Sequence, residues 1–97
     1  MLEIREGSNH DLFLTGRFDA SQVEKARGVF LALNEGKTLD FSGLDYISSA
    51  GLGVLLKTQK RLLAANGKLR LVGLKPHLLD VFTYSGFDQL FEIERAS

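Results

Sequence analysis

Thr38-Leu39-Asp40-Phe41-Ser42 and, a few residues on, Ser48-Ser49-Ala50-Gly51-Leu52-Gly53 are two halves of one joint. The first alternates apolar and polar side chains with the period of a strand, and Leu52, Leu55, Leu56, Leu62 and Leu63 then recur at helical spacing. A strand therefore runs into a helix. Ser48 and Ser49 fall where the helix starts, and a side-chain oxygen there can accept from backbone N–H groups that have no partner inside the helix. Small Ala50, Gly51 and Gly53 leave the first turn uncovered, which makes Ser48–Gly53 the candidate site.

Upstream of the joint, Leu2 and Ile4 alternate with Glu3 and Arg5, and Gly7-Ser8-Asn9 supplies turn chemistry before a second strand from Asp11 to Thr15. The two strands form a hairpin. Gly16-Arg17-Phe18-Asp19 breaks the second one, and Asp19 sits at the start of a helix as its N-cap or beside it. From Ala20 to about Asn34, the stripe of Val23, Ala26, Phe30 and Leu33 marks an amphipathic helix, with Glu24, Lys25 and Arg27 outside it. Asn34-Glu35-Gly36 stops that helix, and Lys37 to Ser42 is the third strand.

Downstream, the helix from Ala50 to Ala65 closes on Asn66-Gly67, and Lys68 to Gly73 alternates as a fourth strand. Pro76 opens a third helix that buries Leu78, Leu79 and Phe82 and ends at Gly86. Phe91 and Ile93 mark a last short strand. The order β-β-α-β-α-β-α-β, without linker or repeat, predicts one α/β domain over residues 1–97. It has a mixed sheet of four to five strands with helices packed against it through right-handed crossovers. Ligands and partners of such sheets gather at the C-terminal ends of the strands, and both Asp19 and Ser48-Ser49 lie at such ends.

Composition narrows the function. Hydrophobic residues make up 44% of the chain and charged residues 25%, values of an ordinary folded domain. The 12 basic and 12 acidic residues cancel, so no overall field draws the chain to nucleic acid or to an anionic membrane. Residues 1–50 carry a small acidic excess and residues 51–97 a matching basic one, with Lys57, Lys60 and Arg61 read as a solvated helix face. With no cysteine there is no disulfide, thiolate metal site or thiol nucleophile. The charged N-terminus is unlike a signal peptide and no apolar run approaches spanning length, so the reading is a cytoplasmic chain that does not insert in a membrane.

Catalysis at Ser49 needs a base, and neither His10 nor His77 is placed to serve as one. There is no Gly-x-Ser-x-Gly elbow and no phosphate-binding Gly-x-x-x-x-Gly-Lys loop, and two histidines without suitable spacing make no metal site. The expectation is a non-enzyme with no catalytic residue, cofactor or metal. For the two serines, simple capping is the plain reading. Capping uses one hydroxyl, however, and the second is then free for a partner or a kinase. A phosphate there adds about −1.5 to −2 charge, which the positive helix end tolerates and an acidic or apolar partner does not. Asp19 and Asp40 likewise read as capping or solvated, with Asp19 alternatively tuning a nearby phosphoserine.

The run from Phe41 to Leu56, with Thr15-Gly16-Arg17-Phe18-Asp19 before it and Tyr84-Ser85-Gly86-Phe87 after it, resembles the STAS domain of anti-sigma factor antagonists over nearly the whole chain. The resemblance implies a bacterial partner-switching protein that binds an anti-sigma factor, itself a serine kinase, and so frees a sigma factor. The kinase phosphorylates the antagonist and a phosphatase restores it. By position, Ser49 is the phosphoacceptor, Ser48 the less favoured one, and Asp19 the acidic loop residue beside it. Asp19, Ser48, Ser49, Ala50, Gly51, Leu52 and Gly53 make up the expected partner-binding surface. The family's commonest motif has Asp immediately before the acceptor, where this chain has Ser48. The alternative is a STAS-like accessory subunit of a lipid-transporting ABC complex, docked permanently through the same surface.

Overall fold

The computed structural model describes residues 1–7 and 11–94. Its elements follow the expected order: β1 (Leu2–Glu6), β2 (Asp11–Phe18), α1 (Val23–Leu31), β3 (Lys37–Ile47), α2 (Ser49–Ala64), β4 (Leu69–Val72), α3 (Pro76–Ser85) and β5 (Glu92–Ile93). Ser8, Asn9 and His10, read from sequence as the hairpin turn and a stray histidine, lie outside the described residues. The five strands form one sheet in the order β1-β2-β3-β4-β5, with β1 antiparallel to β2 and all other pairs parallel.

Because every parallel crossover steps to the next strand in the same direction, right-handed connections place all three helices on one face. Burial agrees. Leu12, Leu14, Leu39, Phe41, Leu69 and Leu71 on that face are buried with Ala26 and Phe30 of α1, Leu55 and Leu62 of α2, and Leu78 and Phe82 of α3. Phe82 sits between Phe41, at 6.2 Å, and Phe91, which meets it edge-on at 5.7 Å. On the opposite face Phe13 stays partly exposed and the Arg17 guanidinium lies 4.3 Å above the Tyr46 ring.

Two strands run longer than their alternation indicates. β2 continues through Gly16 to Phe18, because Gly16 adopts φ +91° and a side chain there would run into the Met1 carbonyl oxygen. β3 runs on from Ser42 to Ile47 because its register with β2 slips twice, between Phe13 and Thr15 and between Gly16 and Arg17. Each slip inserts one extra residue in β3, so its inward side chains fall at Leu39, Phe41, Leu44 and Ile47 and the period of two is lost. At the first slip the Asp40 carboxylate accepts from the Ser42 amide at 2.8 Å and from its hydroxyl at 2.6 Å.

The helices are trimmed differently from expectation. The first begins as a 3-10 turn, Ala20–Gln22, and ends at Leu31 rather than Asn34. α2 ends in a Schellman motif: Asn66 takes φ 65°, its amide donates to Leu63 at 3.1 Å, and the Gly67 amide donates to Leu62 at 2.7 Å. Within the leucine series, Leu63 is 52% exposed and so lies off the buried stripe, whereas Thr58 and Gln59 lie on it. Gln59 is satisfied there, accepting from the Leu69 amide at 2.7 Å and donating to the Leu90 carbonyl at 2.8 Å. Gly86, at φ 80°, ends α3.

Candidate functional site

The end of β3 is tied to the end of β2 by the Ser48 amide, which donates to the Phe18 carbonyl at 2.9 Å. That bond sets the α2 start beside the loop that begins at Asp19. Ser48 is the N-cap of α2: its extended backbone (φ −86°, ψ 168°) turns the hydroxyl oxygen to accept from the Gly51 amide at 3.1 Å, and its carbonyl accepts the Leu52 amide at 2.9 Å. Ser49 is the first helical residue. It is exposed, and its hydroxyl has no hydrogen-bond partner among the described residues. The two hydroxyls therefore differ in kind.

Of the residues expected to face a partner, Ser49 and Ala50 are exposed and Gly53 is half-buried, but Gly51 and Leu52 face inward. A Cβ at Gly51 would stand 3.0 Å from Ile47 Cγ1 and 3.1 Å from the Phe18 ring. Gly51 is thus small so that α2 can close on the sheet, whereas a Cβ at Gly53 meets nothing within 4 Å. The bareness of the tip belongs to Ser49, Ala50 and Gly53.

Asp19 caps the 3-10 turn that precedes α1, accepting from the Ser21 amide at 3.1 Å and from its hydroxyl at 2.5 Å. The hydroxyl bond holds the carboxyl below its usual range, so Asp19 is an anion at neutral pH. Behind the joint, Asp45 pairs with Lys75. That hydrogen bond and the ammonium's charge lower the Asp45 carboxyl in the same way. The backbone carbonyl of Asp45 is within 2.7 Å of His77 Nε2. His77 is thereby engaged with the α3 end of the sheet and holds no serine.

Beside the tip lies a groove of about 580 Å³ between α1 and α2. Its walls combine Val23, Phe30 and Leu31 of α1 with Ala50, Gly53 and Val54 of α2, and its charged lining is Arg27, Lys57 and Arg61. Arg61, read as part of a solvated face, is exposed and also donates to the carbonyls of Leu33 at 2.8 Å and Phe30 at 2.7 Å, closing the C-terminus of α1. Sequence reading missed this groove. Its available signals were Leu31, an apolar residue that the α1 stripe does not need and that is 62% exposed, and a glycine at 53 inside a helix. Among the described residues no cluster of three His, Cys, Asp or Glu could hold a metal ion, and no helix is long and apolar enough to cross a membrane.

A family model described as "Mlab, STAS domain" matches residues 3–92. The chain belongs to the STAS domain family. An anti-sigma-B factor antagonist of Listeria monocytogenes is 33% identical to this STAS domain over 100 residues, covering 96% of it and 87% of the relative. BtrV of Bordetella bronchiseptica, which also carries the name of an anti-sigma factor antagonist, is 51% identical over 55 residues. That match covers 57% of this chain and 47% of BtrV, so it spans less than half of the relative. Among solved structures, the Bacillus cell fate determinant SpoIIAA in its phosphorylated form superposes with a TM-score of 0.69, covering 98% of this chain and 92% of that one. At 20% identity this likeness shows the shared fold alone.

Proposed function

We propose that this STAS domain is a cytoplasmic anti-sigma factor antagonist that binds a kinase-type anti-sigma factor through the α2 tip and is switched by phosphorylation of Ser49. The observation that carries the reading is the division of labour between the serines. Ser48 satisfies the helix, and Ser49 offers an exposed, uncommitted hydroxyl on the first turn. The names of the Listeria and Bordetella relatives support the binding role, and SpoIIAA, which shares the fold, has been solved in a phosphorylated form.

The physical consequence of the modification is local. A phosphate at the N-terminus of α2 meets favourable dipole and unpaired amides, so the fold is kept. The same charge lies on the docking surface, where an acidic or apolar partner has to be brought against it. Binding is lost while folding is not. A phosphatase that removes the group restores the antagonist.

Incubation with the anti-sigma factor kinase and ATP, followed by phosphosite mapping, tests this directly. Ser49→Ala is expected to abolish incorporation and Ser48→Ala to retain it; phosphate found elsewhere, or on neither serine, overturns the switch. Ser49→Asp is expected to weaken binding of the anti-sigma factor at least tenfold with an unchanged circular dichroism spectrum. An accessory subunit of a lipid-transporting ABC complex, docked permanently, would bind its partner regardless of the charge at position 49.

A further inference from the structure

The groove between α1 and α2 reaches the switch, since Ala50 and Gly53 belong to both. Ser49, Gly53 and Lys57 succeed one another at i, i+4 and i+8, so they form one line down the helix face that opens on the groove. We propose that this groove is the second half of the docking surface and receives an acidic, amphipathic segment of the anti-sigma factor. Apolar side chains of that segment seat on Leu31 and Val54, and its carboxylates face Arg27 and Lys57. The inference rests on the functional reading above and names the chemistry of the partner.

Charge complementarity identifies the occupant. Every charged side chain lining the groove is a cation and none is a carboxylate. Arg61 is held by two carbonyls, and among the described residues Arg27 pairs with Glu24 alone, on its own helix, at 2.9 Å in an exposed geometry of little worth. Lys57 makes no ion pair among the described residues. The apolar wall is open as well, with Leu31 62% exposed at the rim. An apolar strip between two available cations matches a segment that carries apolar residues flanked by Asp or Glu. It also gives the proposed phosphate on Ser49 a direct target. The phosphate stands at the head of the groove and repels the same acidic segment that Lys57 attracts.

Gly53 supplies a test that separates docking from folding. A Cβ there meets nothing within 4 Å, and replacing a helical glycine favours the helix, so Gly53→Leu starts its side chain in open space and projects it into the groove, with an unchanged urea-unfolding midpoint as the check on the fold. Gly28 of α1 is equally open but does not line the groove, and Gly28→Leu is the matched control. Affinity for the kinase-type anti-sigma factor is measured by calorimetry for the wild type, Ser49→Asp, Gly53→Leu, Lys57→Glu and Gly28→Leu. Gly53→Leu and Lys57→Glu are expected to lose at least tenfold and Gly28→Leu less than twofold, with the wild-type affinity falling as salt is raised. If Ser49→Asp loses the partner while Gly53→Leu and Lys57→Glu bind as the wild type does, the groove proposal is overturned and the switch stands. If the wild type binds no anti-sigma factor, both fall. Amide shifts on partner addition give a second readout: they are expected along Val23–Leu31 and Ala50–Arg61, and shifts confined to residues 48–53 contradict the groove.

Discussion

At the scale of single residues, the site depends on two adjacent serines with different duties. Ser48 holds the first turn of α2 through its hydroxyl, so Ser48→Ala is expected to cost about 1 kcal/mol, within the range of N-cap losses. Ser49→Ala removes no hydrogen bond and should leave stability within about 0.5 kcal/mol of the wild type. Urea unfolding of the two variants checks the contrast, and equal losses would contradict the division of roles. The glycines of the tip divide similarly. A β-branched side chain at Gly51 has to displace Ile47 and Phe18, so Gly51→Val is expected to destabilise by about 1–3 kcal/mol. Gly53→Ala, facing open space, is expected to stabilise by up to about 1 kcal/mol. The motif thus combines packing at Gly51 with access at Gly53, a distinction invisible in a run of small residues.

At the scale of elements, long polar side chains fix how helices and strands meet. Arg61 joins α2 to the C-terminus of α1, and Arg61→Met, which keeps the aliphatic stem, is expected to cost about 1–2 kcal/mol in thermal or urea unfolding through the orphaned carbonyls of Phe30 and Leu33. The link between Asp45, late in β3, and Lys75, which caps α3, carries a pH dependence. The Asp45 carboxyl is held below its unfolded value by its hydrogen bond with Lys75 and the ammonium charge. Its contribution is therefore fully present above the unfolded value of about 3.9 and is lost as pH falls through the lower folded value. Asp45→Asn should lose that contribution at neutral pH, a small one because the pair is exposed, and flatten the acid limb, so that urea unfolding curves of the two forms converge as pH falls through the window.

These links also mark where sequence reading stopped. Element order, the three helical stripes and the strand-to-helix joint were legible because each follows from local periodicity and capping. The length of β3 was not, because its two register slips move Leu44 and Ile47 out of the alternation begun by Leu39 and Phe41. The roles of Arg61 and Gln59 were not, because the Arg61 acceptors and the Leu90 carbonyl that Gln59 bonds lie about thirty residues away in the chain. The groove was not, because it belongs to two helices at once. Exposed Leu31 and open Gly53 gain meaning only when α1 and α2 stand side by side.

At the scale of the whole molecule, the sheet is a mechanical ground for the tip. β3 is the middle strand, paired on both sides, and its last residue, Ile47, directly precedes the Ser48 cap. β5 is an edge of two residues, and among the described residues β1 has no neighbour on its outer side. Opening is therefore expected from the edges inward, with amides of β2 and β3 exchanging only through global unfolding and those of β5 orders of magnitude faster. Because a charge at Ser49 changes the surface and not the ground beneath it, Ser49→Asp should leave the slow exchange of β3 intact and alter only the first turn of α2. The measurement is native-state hydrogen exchange on both forms. Loss of protection spreading down β3 would mean that a charge at position 49 acts by loosening the sheet; protection unchanged beyond Gly53 would locate its effect at the proposed docking surface.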